Sequence, residues 1–262
     1  MHTHHPDSSA NIFINRQNKL TQALASAHLH ALALNPGASL TYLTGLHFHL
    51  SERPVVAVFS PGQPVHLVLP ELEQAKLMNL PYPVQAFPYG EDPQHWGESF
   101  RAAMLAAGLE TARIGVEPRQ LRLLEYRLLS QAASKADLIS AENTLAGLRM
   151  IKDASEIMAM RKAARIAQEA LLATLPYIRL DISERDLSCE LTLQLLRAGS
   201  DAEIPFAPIV SAGPNSANPH ASPSDRLLQA GDLLVRDFGA GYQGYISDIT
   251  RTFALGEIDP EY

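Results

Sequence analysis

Apolar residues recur with two different periods along this chain, and the pattern changes about halfway. From Asn11 to Ser26, Ile14, Leu20 and Leu24 fall among helically spaced positions and predict a first helix. His30–Leu34 (HALAL) reads as a short strand stopped by Asn35-Pro36-Gly37. Val55–Phe59 and Val65–Leu69 read as two strands around the turn-rich Ser60-Pro61-Gly62-Gln63-Pro64. Helical patterns follow at Glu71–Leu77 and Trp96–Ala107, then a strand at Arg113–Glu117 and a helix at Leu121–Ala133. Trp96 and Phe100, spaced i, i+4, are better explained by core packing than by binding. His47 and His49 alternate like strand residues, and a solvated edge explains them better than a cleft lining. Strands alternating with helices predict an α/β layer structure of about 140 residues.

Beyond Ser140 the texture differs. Asp153-Ala-Ser-Glu156 is a helix-start signal, with Asp153 as N-cap and Glu156 reaching back. Ile157, Met160, Ala164, Ala167 and Leu171 then predict one apolar stripe on a long helix ended by Pro176. Ser183-Glu184-Arg185-Asp186 opens a second helix carrying Leu187, Leu191 and Leu195, closed by Gly199. Strands are expected at Ala207–Ser211, Leu233–Ala240 and Tyr245–Leu255, with the turn-forming loop Gly213–His220 between the first two. The composition shift places the boundary near residues 141–152, giving expected domains 1–144 and 145–262.

The last two strands bring acids together. A two-residue turn at Tyr242-Gln243 puts Asp237 opposite Asp248, pointing to the same face. Like charges so placed repel, and Arg236 and Arg251 fall by parity on the other face. Such a spacing alone also suits solvated, unpaired surface acids; paired as drawn, either one carboxyl keeps its proton or a cation sits between the two. A carboxylate pair suits Mn²⁺, Co²⁺ or Zn²⁺. Arg251 is expected to pair with an acid on the back face.

Composition removes several classes of function. A 46% hydrophobic and 19% charged chain is globular, and a net charge of −7 with scattered Lys and Arg argues against a nucleic-acid or anionic-membrane partner. The single Cys189 cannot form an internal disulfide, and neither a secretory signal nor a membrane-length apolar run is visible, so the expected address is the cytoplasm. His2, His4 and His5 read as a solvated tail rather than a metal site.

The segment Asp237-Phe-Gly-Ala-Gly-Tyr-Gln-Gly-Tyr-Ile-Ser-Asp248-Ile-Thr-Arg-Thr-Phe resembles the metal-binding hairpin of the Xaa-Pro aminopeptidase and prolidase family. Ile204–His220 resembles its substrate-side loop, Leu148–Ile157 the entry to its catalytic domain, and Tyr42-Leu-Thr-Gly45 a piece of its N-terminal domain. The resemblance implies a creatinase-like α/β domain followed by a pita-bread α+β catalytic domain. It also implies two divalent metal ions, with Asp237 chelating one and Asp248 bridging both. His220 would assist at the scissile carbonyl, and a metal-bridged hydroxide would attack a peptide with proline at its second position. Dimerisation is implied by the resemblance alone.

The family's full site adds a histidine and two glutamates, whereas after Asp248 this sequence offers only Glu257 and Glu261. The expectation is therefore an incomplete catalytic domain, truncated at its C-terminal end and inactive as it stands. Two alternatives stay open: a non-catalytic pita-bread scaffold that binds peptide or protein, and a creatinase-like metal-free hydrolase, which Asp237 and Asp248 disfavour.

Overall fold

The computed structural model describes residues 6–258, so His2, His4, His5 and Glu261 lie outside the described residues. Contacts divide the chain into two units, Met1–Ile151 and Lys152–Tyr262.

The first unit runs α1 (Pro6–Ser26), β1 (Ala31–Leu34), α2 (Ala38–Thr44), β2 (Val56–Phe59), β3 (Val65–Pro70), β4 (Val84–Tyr89) and α3 (Trp96–Ala106). It continues through β5 (Arg113–Val116), α4 (Leu123–Ala132), β6 (Asp137–Ser140) and α5 (Glu142–Met150). The six strands lie in the order β4-β3-β2-β1-β5-β6. The sheet is mixed, with β1 antiparallel to β2 and parallel to β5.

Alternate side chains of each strand enter two cores. Leu32, Leu34, Ala57, Phe59, Leu67 and Leu69 join one, while Ala31, Ala33, Val56, Val58 and Val68 join the other, together with Trp96 and Phe100. Burial on both faces is why these strands read as continuous apolar runs. The helix expected at Glu71–Leu77 is a 3₁₀ helix with no buried residue, so no apolar face holds it in α form. His47 and His49 are exposed in a stretch without regular structure rather than on a strand. The short elements α2, β4, β6 and α5 lie outside the sequence expectations.

The second unit has α6 (Ala154–Thr174), α7 (Glu184–Arg197), β7 (Ile209–Ala212), β8 (Leu233–Phe238), β9 (Gly241–Tyr242), β10 (Tyr245–Ile246) and β11 (Ile249–Ala254). Both bonds of the Asp153–Glu156 capping box form, and Leu187, Leu191 and Leu195 are fully buried on α7 as expected. The stripe expected on α6 holds only toward its C-terminal end, where Ala167 is fully buried and Leu171 packs on the core. Ala159, Ala163, Ile166, Ala167 and Ala170 face the core, while Ile157 and Met160 stay 39% and 38% exposed. Small side chains let the α6 backbone come close: Ser247 Oγ donates directly to the Ala163 carbonyl at 3.1 Å. A pattern ranked by hydrophobicity undervalues alanine, which here sets the packing distance. Among the described residues no helix is long and apolar enough to cross a membrane.

Candidate metal-binding hairpin

In the second unit, β8 is the centre of a three-stranded sheet in the order β11-β8-β7. Leu234, Arg236 and Phe238 are buried, with Val235 and Asp237 half-buried between them. Leu234 and Phe238 pack in one core with α6 and α7 residues. Asp237 therefore points away from the helices.

The register of the hairpin differs from the expected one by two residues. The turn is Gln243-Gly244, not Tyr242-Gln243, and both turn residues have positive φ, 53° and 78°. A two-residue turn of this kind needs the left-handed region twice, which glycine supplies freely and a β-region tyrosine does not. Tyr245 consequently pairs with Tyr242, and Asp237 sits opposite Thr250 instead of Asp248.

A two-residue shift keeps parity, so the faces survive the correction. Ser247 is buried against α6 and Ile249 packs on the helix-side core, which turns the exposed Asp248 outward. By alternation Asp237 and Asp248 thus fall on the face away from the helices, with Asp248 diagonal to Asp237, two residues before its partner Thr250. Thr250 Oγ1 donates to Asp237 Oδ1 at 2.8 Å and takes the position expected for the second acid. Ser211, two residues along β7 from Asp237's partner Ile209, contributes to the same face a buried hydroxyl with no hydrogen-bond partner among the described residues.

The ladder breaks between β9–β10 and β8–β11, and Gly239 marks the break. A Cβ at Gly239 would lie 2.1 Å from the Ser247 carbonyl oxygen, a clash with backbone that no rotamer change relieves. Gly239→Ala is expected to destabilise the second unit by about 3 kcal/mol. Gly97→Ala in α3, where a Cβ meets open space, should be neutral or stabilising by up to about 1 kcal/mol. Urea unfolding of the two variants checks the contrast.

Arg236 and Arg251 do fall on the opposite face, directly across from each other. Among the described residues no acid pairs with Arg251, which is exposed and donates to the Thr250 carbonyl at 2.7 Å. Arg236 is fully buried, its three guanidinium nitrogens have no hydrogen-bond partner among the described residues, and burial pulls its pKa down to about 10. The Phe253 ring lies 4.3 Å from the guanidinium carbon and offers it a cation–π contact.

His220 is exposed in the loop after β7. Its backbone N–H donates to Asn218 Oδ1 at 3.0 Å, and among the described residues its imidazole has no hydrogen-bonded partner. Arg226 grips Asp232 with two bonds of 2.6 and 2.9 Å, and that contact holds the Asp232 carboxyl below the usual carboxylate range. Gly213 lies against the pair, where any Cβ would meet Asp232 Oδ1 at 2.4 Å.

As hard oxygen donors on one face, Asp237 and Asp248 fit two positions of a divalent-metal site. They fall short of a complete one. Among the described residues no group of three or more His, Cys, Asp or Glu side chains could hold a metal. Thr250, Ser211 and the buried Glu184 escaped sequence reasoning. Only Glu184 left a trace, as an acid in the capped first turn of α7.

Comparison with known proteins places these features in a wider group. Residues 158–262 match metallopeptidase family M24, and residues 16–151 match the creatinase/prolidase N-terminal domain. A Mycobacterium tuberculosis protein named Probable dipeptidase PepE is 30% identical over 263 residues, 96% of this chain and 66% of its own length. The crystal structure of a dipeptidase from Pyrococcus horikoshii superposes with a TM-score of 0.84 at 32% identity, covering 94% of this chain and 67% of that one. A recombinant prolidase from Thermococcus sibiricus gives a TM-score of 0.86 at 26% identity, covering 95% and 67%. The chain thus spans about two thirds of the length of these similar proteins.

Proposed function

The chain belongs to metallopeptidase family M24 with a creatinase/prolidase N-terminal domain, and from that premise we propose that it serves hydrolysis of the Xaa-Pro peptide bond. Asp237 and Asp248 are its ligands for two divalent metal ions, and His220 is the hydrogen-bond donor to the scissile carbonyl. The observation that carries this reading is the shared face of Asp237 and Asp248, turned away from the helices and set by the Gln243-Gly244 turn. When bound, Mn²⁺, Co²⁺ or Zn²⁺ would supply Lewis-acid polarisation and a nucleophile at neutral pH. Thr250 then orients Asp237 through one carboxylate oxygen, as an outer-shell partner does.

Two carboxylates do not make a binuclear centre, which takes several donors per ion. The reading therefore requires ligands beyond the described residues. The competing reading, a peptide- or protein-binding scaffold without catalysis, draws on the absence of a third ligand beside these two among the described residues.

The test is hydrolysis of Xaa-Pro dipeptides and Xaa-Pro-Yaa tripeptides by the product of the whole reading frame, stripped with chelator and reloaded with each metal. Cleavage only when loaded, with Xaa-Pro preferred over Xaa-Ala, is expected. Cleavage of dipeptides alone identifies a dipeptidase, and release of the first residue from tripeptides an aminopeptidase. No cleavage with any of the three ions overturns the peptidase reading and leaves the scaffold.

A further inference from the structure

The loop that carries His220 is rich in turn formers, and its sequence gives no reason for it to hold one conformation. Its two ends meet on one buried carboxylate. Glu184, the first residue of α7, is fully buried. Its Oε1 accepts the Ala212 backbone N–H at 2.7 Å, at the end of β7. Its Oε2 accepts the Ser224 N–H at 3.1 Å and the Ser224 hydroxyl at 2.6 Å, where the chain leaves the loop. The Asn215 amide bridges both oxygens at 3.1 and 3.0 Å. The Glu184 and Arg185 backbone N–H groups donate to Arg226 and Ser224 carbonyls, each at 3.0 Å, and fasten the segment leaving the loop to the helix start.

An ordinary first-turn glutamate lies in solvent, where it favours the helix through its charge alone. A carboxylate is expensive to bury unless its lone pairs are filled, and here every donor that fills them comes from the loop or its two ends. We propose that Glu184 is a positioning residue for His220: it closes residues 213–223 into a compact loop and fixes where the imidazole is presented. The role rests on the reading of His220 as the group beside the scissile carbonyl. Within the loop, the Asn218 side chain holds the His220 N–H, so the anchor acts on a segment already turned locally.

Glu184→Gln tests this with almost no change in volume. The glutamine amide would set an NH₂ against donors that need an acceptor. Amide exchange at Ala212 and Ser224 is expected to accelerate roughly 10- to 100-fold, the effect of losing charged hydrogen bonds in a local opening. Exchange in the α7 segment Leu187–Leu195 and in β8 should hold, and the His220 Cε1–H resonance should move toward its random-coil position. Ser224→Ala, which removes one donor and keeps the charge, should give a smaller shift in the same direction. In the metal-loaded product of the whole reading frame, Glu184→Gln should lower kcat and leave metal affinity unchanged.

An unmoved His220 resonance with Ala212 and Ser224 still protected overturns the proposal. So does a uniform loss of protection through the whole second unit, which would make Glu184 a residue of general stability. If the whole product cleaves no Xaa-Pro peptide, the peptidase reading fails, while the exchange and resonance data still decide the anchor.

Discussion

Asp237→Asn in the product of the whole reading frame is expected to weaken divalent-metal binding by about 100-fold or more and to remove Xaa-Pro hydrolysis with it. The amide keeps the shape of the side chain but loses the charge that a hard cation requires. The fold should be unaffected, because Asp237 is half-buried and its one side-chain hydrogen bond among the described residues is with Thr250. Asp248→Asn should act in the same way from the diagonal position. Thr250→Val gives the graded control. It leaves both carboxylates and removes the hydroxyl that orients Asp237 Oδ1, so metal affinity should fall by about 10-fold. Isothermal titration with Mn²⁺ and Co²⁺ measures all three. Full affinity in Asp237→Asn would remove Asp237 from the ligand set, and with it the case for the hairpin as a metal site.

Arg236→Met is expected to raise the stability of the protein by about 1–4 kcal/mol. With no acceptor on any guanidinium nitrogen among the described residues, the buried Arg236 has lost its hydration without a hydrogen bond to replace it. Arg251 lies directly opposite on β11 and adds repulsion. The Phe253 ring at 4.3 Å offsets this by no more than about 2 kcal/mol. Methionine fills most of the arginine stem's volume and can keep a contact with the same ring. Arg251→Met, at an exposed position, should change stability by less than about 0.5 kcal/mol. Guanidinium denaturation at pH 7 separates the two variants. A large loss of stability in Arg236→Met would mean that an acceptor outside the described residues completes the guanidinium, and that the arginine belongs to a larger network.

The hairpin shows most sharply where reading from residues stops. Side-chain parity in a strand has a period of two, so a register error of two residues leaves every side chain on its proper face. That is why Asp237 and Asp248 could be assigned to one face, and Arg236 and Arg251 to the other, from sequence alone. Which residue stands opposite Asp237 depended on which two residues take positive φ, and four turn-compatible residues in a row left that choice open. The N-terminal part of the α6 stripe failed for a related reason. Several faces of that helix carry apolar residues, and the choice of the alanine face was made by how closely the helix had to approach Ser247 and α7.

By itself, then, the sequence determined the alternation of strands and helices, the Asp153–Glu156 cap, the leucine face of α7 and the pair of acids, because each follows from local periodicity or a few adjacent residues. Only the tertiary structure decided that Thr250 faces Asp237, that Glu184 is buried among donors from Ala212, Asn215 and Ser224, and that Arg236 is enclosed without an acceptor among the described residues. These are relations between residues distant along the chain, and burial and hydrogen bonding arise only when such residues are brought together.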